Sequence, residues 1–139
     1  MAKLSVRFRV DFGRSCAIGP GKVALLEALP RTGSLSQAAR ELKISYRRAW
    51  VLLESLNTSF RMPVAEMSTG GRGGGGAKLT PFGSAVATAY RKLEAEFARR
   101  ATSAMAGIAR QVVGSTSATL ARRPLQRSPA GSRRRPQRR

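Results

Sequence analysis

The chain has 139 residues, 42% of them apolar, with 26 Lys+Arg against 7 Asp+Glu and a formal charge of +19. That length and apolar share suit one folded domain, while the absence of His and the single Cys16 exclude imidazole catalysis, His/Cys zinc sites and internal disulfides. No apolar run approaches the roughly 20 residues of a membrane span, and the opening Met-Ala-Lys-Leu-Ser-Val-Arg-Phe-Arg has no signal-peptide core, so a cytoplasmic protein is expected.

Leu4, Val6, Phe8, Val10 and Phe12 alternate with Ser5, Arg7, Arg9 and Asp11, the period of a half-buried strand. Gly13 to Gly21 reads as a loop. A helix is expected from Pro20–Lys22 through Val23, Leu25, Leu26 and Leu29; Pro30, which lacks an N–H and crowds the carbonyl of Leu26, should keep it short. Thr32-Gly33 closes it. Ser34 then stands as an N-cap with Gln37 at capping-box spacing, and Leu35, Ala38, Ala39 and Leu42 form one apolar stripe. After a tight Lys43-Ile44 connection, Ser45 caps a third helix whose inward residues are Ala49, Leu52, Leu53, Leu56 and Phe60, with Met62-Pro63 ending it.

Val64 to Met67 and Lys78 to Leu79 can pair as two short strands around the glycine-rich segment 68–77. Thr80 caps a long helix with Pro81 at its first position. Its stripe runs Phe82, Val86, Tyr90, Leu93, Phe97, and on through Ala101, Ala104, Met105 and Ile108 towards a stop at Gly114. The fold class is therefore mostly α with a small β component: a winged helix-turn-helix over residues 1–97, a helical continuation over 98–113, and a disordered arginine-rich tail over 114–139.

Two short helices joined by a tight turn and followed by a hairpin place the N-terminus of the second helix where it can enter a DNA major groove, with the first bracing the backbone. On that second helix the spacing sets Tyr46, Ala49, Trp50 and Leu53 towards the core, with Arg47, Arg48 and Val51 outward. Two of these can reach guanine O6 and N7. The candidate DNA-contacting residues are Ser34, Ser36, Ser45, Tyr46, Arg47, Arg48 and Val51, with Arg72 and Lys78 on the wing.

The run from Thr32 through Ser45-Tyr46-Arg47-Arg48-Ala49-Trp50 to Asn57, with Thr69-Gly-Gly-Arg-Gly-Gly-Gly-Gly-Ala-Lys-Leu-Thr80 and Pro81-Phe82-Gly83, resembles the N-terminal DNA-binding domain of the ModE-type molybdate-responsive regulators. The resemblance covers roughly residues 4–97, and LysR-type helix-turn-helix domains are its broader relatives. It implies a bacterial, nucleoid-associated, dimeric transcription factor that binds a double-stranded DNA operator. Three features depart from that pattern. Lys43 stands where such turns carry Gly, at a cost of about 1–2 kcal/mol if left-handed; Pro30 interrupts the first helix; and nothing from Gly114 to Arg139 can form an oxyanion-binding barrel. Molybdate binding is therefore not expected in this chain.

Other motifs point elsewhere only formally. Gly71-Arg-Gly73-Gly-Gly-Gly76 satisfies GxGxxG but has no surrounding βαβ unit, and Gly-Ala-Lys is not the Gly-Lys-Ser/Thr of a P-loop. A wing tip, or a hairpin loop that touches nothing, suits it better. Of the carboxylates only Glu94 and Glu96 are close in sequence, and i, i+2 spacing sends them to different helix faces. No catalytic dyad, metal set or cofactor site is expected, so neither is an enzyme. Residues 97–139 carry a net +11 with no acid, against +8 for residues 1–96; the tail either adds counterion-release affinity for DNA or is a dispensable extension. Beside the sequence-specific regulator stand two alternatives: a nucleoid-type or RNA-binding basic protein without sequence choice, and an interaction partner acting through the hairpin.

Overall fold

Side-chain oxygens start three of the four helices in the structure, a computed structural model that describes residues 3–68 and 76–113. Ser34 Oγ accepts from Gln37 N at 3.1 Å, Ser45 Oγ from Arg48 N at 3.1 Å, and Thr80 Oγ1 from Gly83 N at 3.0 Å. Each satisfies one of the orphan N–H groups of a helical first turn. The helices are α1 (Pro20–Thr32), α2 (Leu35–Glu41), α3 (Tyr46–Ser59) and α4 (Pro81–Ala109). Two hairpins complete the fold: β1 (Val10–Phe12) with β2 (Cys16–Ile18) before α1, and β3 (Ala65–Met67) with β4 (Ala77–Leu79) between α3 and α4.

The sequence pattern differs from this in five places. Alternating burial persists from Leu4 to Val10, but only Val10–Phe12 is ladder-bonded, and Phe12 is 51% exposed. Its partner strand lies inside the segment expected to be loop: Val10 pairs with Ile18, Asp11 with Ala17 and Phe12 with Cys16, Gly13 supplying a φ of 66° at the turn. Pro30 does not shorten α1, which runs to Thr32, because a proline in the last turn forfeits a single N–H just before the helix ends. Gly33 then takes φ 82° and donates to Leu29 O at 2.9 Å. The third helix stops at Ser59, ahead of Met62-Pro63, and the fourth at Ala109, capped by Arg110. Gly114 and the tail lie outside the described residues.

α1 is the centre of the fold. Val23, Leu25, Leu26 and Leu29 are fully buried and meet Leu35 of α2, Leu53 and Leu56 of α3, and Val64 ahead of β3. Burial of this kind contributes about 1.5–3 kcal/mol per large aliphatic side chain. Arg91 of α4 forms a bidentate ion pair with Glu27 of α1 (Nη2 to Oε1, 2.7 Å) and a second contact with Glu94 at 2.8 Å. The hydrogen bond to Glu27 foremost raises the guanidinium pKa above its usual value, against the opposing effect of burial. At α1's other end Arg31 holds Glu41 of α2 at 2.6 Å.

Only the start of α4 belongs to this core: Gly83, Ala87 and Tyr90 are buried, whereas Leu93, Phe97, Met105 and Ile108 remain exposed. With 29 residues the helix is about 43 Å long at 1.5 Å per residue; Phe97 still meets Phe8, ring centroids 5.3 Å apart, and the turns carrying Met105 and Ile108 follow it.

Candidate nucleic-acid interface

The connection between α2 and α3 sets the geometry of the site. Lys43 adopts φ 57°, the left-handed conformation, while Ile44 N donates to Ala39 O at 3.0 Å and Lys43 N to Arg40 O at 3.1 Å. That pair of bonds is a Schellman closure, with a lysine where glycine is usual. Ile44 packs against the core immediately afterwards, and Ser45 starts the next helix. The two helices are therefore fixed to each other within four residues.

α3 buries Ala49, Leu53 and Leu56 and keeps Leu52 half-buried. Opposite that stripe, Arg47, Arg48 and Val51 are exposed, as their spacing requires. Tyr46 and Trp50 are also exposed, at 46% and 41%, which corrects the inward orientation expected of them. The helix has room for one buried stripe, and Ala49, Leu53 and Leu56 fill it; the large rings at 46 and 50 fall on its flank.

Ser45, Tyr46, Arg47, Arg48 and Val51 thus share the first turns of α3, whose N-terminus also carries the positive end of the helix dipole. Ser34 and Ser36 lie at the start of α2, Ser36 half-buried, and the hydroxyl oxygens of Ser34 and Ser45 already accept capping bonds. Lys78 is exposed on β4, opposite Glu66 in register. Arg72 lies outside the described residues.

Charge around this surface is one-sided. Asp11, Glu27, Glu41 and Glu94, four of the seven acidic residues, are held by arginines of the domain itself. On the β2 side of α3 a cleft of about 460 Å³ is lined by Lys22, Arg48 and Arg9, the last of them paired with Asp11 at 2.7 Å. Lys22 Nζ donates there to Ala17 O at 2.9 Å and to Ser55 Oγ at 3.4 Å, which anchors it beside α3.

One residue that spacing did not single out orients the wing. Asn57, on α3, accepts from Val64 N at 2.8 Å and Ala65 N at 3.2 Å and donates to Ala65 O at 3.0 Å. From the other side Thr80 Oγ1 donates to Pro63 O at 2.6 Å and Thr80 N to Val64 O at 3.0 Å. Gly83 sits so close that a Cβ there would lie 2.0 Å from Val64 O. The base of the β3–β4 hairpin is in this way fixed to both α3 and α4.

A helix pair with a tight turn, an outward basic face on the second helix and a hairpin clamped behind it define a winged helix-turn-helix. Residues 21–84 match the family of bacterial regulatory helix-turn-helix proteins of the lysR type. The chain is 45% identical over 82 residues to the molybdenum-pterin-binding protein MopB of Rhodobacter capsulatus, covering 59% of this chain and 30% of that protein. It is 35% identical over 91 residues to the molybdenum transport protein ModE of Azotobacter vinelandii, covering 66% and 34%. Against the DNA-binding transcriptional dual regulator ModE of Escherichia coli K12 it is 38% identical over 71 residues, covering 51% and 27%. The chain therefore spans between 27% and 34% of the length of these curated relatives. No helix among the described residues is long and apolar enough to cross a membrane.

Proposed function

We propose that this chain is a sequence-specific DNA-binding transcriptional regulator of the ModE and LysR-like kind. The first turns of α3 enter the major groove, and the wing lies along the backbone or minor groove. The observation that carries this reading is the exposure of Arg47 and Arg48 on the opening turn of α3 in a lysR-type helix-turn-helix domain. Two guanidinium forks there suit guanine O6 and N7. Arg48, on the rim of the cleft it shares with Lys22, lies alongside for the phosphates. Binding, and no catalysis, is the activity in this reading.

The chain acts as a homodimer in the same reading. The outer turns of α4 offer Met105 and Ile108 to a second copy, with Leu93 exposed nearer the core, and a two-fold pair of recognition helices suits half-sites one helical turn apart. Arg72 on the wing and the eight arginines of residues 115–139 add contacts to phosphate.

Selection of bound duplexes from random DNA tests the proposal, followed by affinities on the selected and scrambled sequences at one stated salt concentration. A regulator prefers its site by about 10³-fold or more. The charge of +19 also suits a basic protein without sequence choice, and equal affinities for every duplex would establish that instead.

A further inference from the structure

Trp50 and Tyr46 are 41% and 46% exposed on α3, and neither belongs to the buried hydrophobic core. Four residues apart, they share one flank of the helix, while Arg47 and Val51, also four apart, form the adjoining stripe. Val51 is 50% exposed. The opening turns of α3 therefore present an apolar patch of two rings and a branched aliphatic group, set directly beside a guanidinium.

Such a patch is costly to leave in water, and its position limits what can cover it. It begins at the capped N-terminus of α3, with Lys43, Arg47 and Arg48 exposed around it and Glu54 the sole carboxylate on the helix. A polyanion complements that frame. In a DNA major groove the C5-methyl of thymine is the apolar group on offer, next to acceptors that suit arginine. We propose that Trp50, with Tyr46 and Val51, reads thymine methyl groups in the major groove beside the base contacts of Arg47. This rests on the DNA-binding reading above and adds to it the kind of base step the site selects.

The chain contains one tryptophan, so its fluorescence reports Trp50 alone. Acrylamide quenching of the full chain is measured with and without the selected duplex, and binding is expected to lower the quenching constant at least twofold. Each thymine of that duplex is then replaced singly by deoxyuridine, which deletes the methyl and preserves pairing. At one or two positions per half-site, affinity should fall about three- to fivefold, the scale of one buried methyl group. In Trp50→Ala or Tyr46→Ala that discrimination should disappear, while circular dichroism melts stay near those of the unaltered chain, since both residues lie outside the core. The inference is overturned if a preferred duplex exists but every uridine is tolerated. It is overturned equally if the uridine losses survive in both variants, or if the bound duplex leaves quenching unchanged. A chain with no preferred duplex at all would sink the DNA-reading proposal itself, and this one with it.

Discussion

Asn57 and Ala65 exchange two hydrogen bonds across the junction of α3 and the β3–β4 hairpin: Ala65 N donates to Asn57 Oδ1 at 3.2 Å, and Asn57 Nδ2 donates to Ala65 O at 3.0 Å. The same Oδ1 accepts from Val64 N, so one side chain satisfies three backbone groups of two buried residues. On the α3 side this one side chain holds the base of the hairpin, as Thr80 does from α4.

Asn57→Ala would leave the N–H groups of Val64 and Ala65 unpaired in the interior. Each such loss costs about 1–3 kcal/mol, so the melting temperature should drop by on the order of 10 °C for a domain of this size. Affinity for selected and scrambled duplexes alike should weaken as the wing loosens. An unchanged melting temperature would show that the latch contributes nothing.

Lys43 offers a change in the opposite direction. Its φ of 57° is unfavourable for a side chain with a Cβ, and Lys43→Gly should relieve that. Because glycine also gains freedom in the unfolded chain, the net gain should be up to about 1 kcal/mol, or a rise of about 4–8 °C in melting temperature. A thermal melt without DNA checks it; a fall would mean that lysine makes compensating contacts.

Tyr90 ties the N-terminal segment to α4. Its hydroxyl donates to Phe8 O at 2.8 Å, and the two rings stack with centroids 4.7 Å apart. Burial pushes the phenol's pKa above its ordinary value near 10; Glu94 adds to this and Arg91 opposes it. The folded chain therefore holds the phenolic proton more tightly than the unfolded one. The resulting stability is complete below about pH 10 and is lost as pH rises through the folded value. Tyr90→Phe should melt lower at neutral pH, by the worth of about one hydrogen bond. The two melting curves should then converge in strong alkali. Parallel curves from pH 8 to 11 would contradict this.

Residues 115–139 carry eight arginines and no acid. Each phosphate they neutralise steepens the dependence of log K on log[salt] by about 0.9. Removing them should flatten that slope by several units on all duplexes and leave the preference for the selected site intact. A salt titration of both chains decides, and equal slopes would exclude the segment from the contact.

Much of this architecture was legible because short-range chemistry sets it. Ser34, Ser45 and Thr80 announce their helices through capping oxygens, and the stripe Ala49, Leu53, Leu56 fixes which side of α3 faces inward. Other features depend on contacts that periodicity does not carry. The strand Cys16–Ile18 is three residues long and exists because β1 folds back on it at Gly13. Pro30 signals a break, but its place in the last turn makes the break inconsequential. Tyr46 and Trp50 read as core by size and spacing, yet smaller residues had already filled the buried stripe. Asn57 left no pattern at all, since its partners lie 7 and 8 residues away on backbone atoms.

The central claim is that Arg47 and Arg48 read bases, and single alanine variants on two duplexes test it most directly. At fixed salt, each variant's affinity for the selected site should fall by about 1–3 kcal/mol, roughly 5- to 150-fold, with a much smaller loss on scrambled DNA and a relaxed choice at one base position. An equal loss on both duplexes would reduce the two arginines to phosphate contacts and contradict the account.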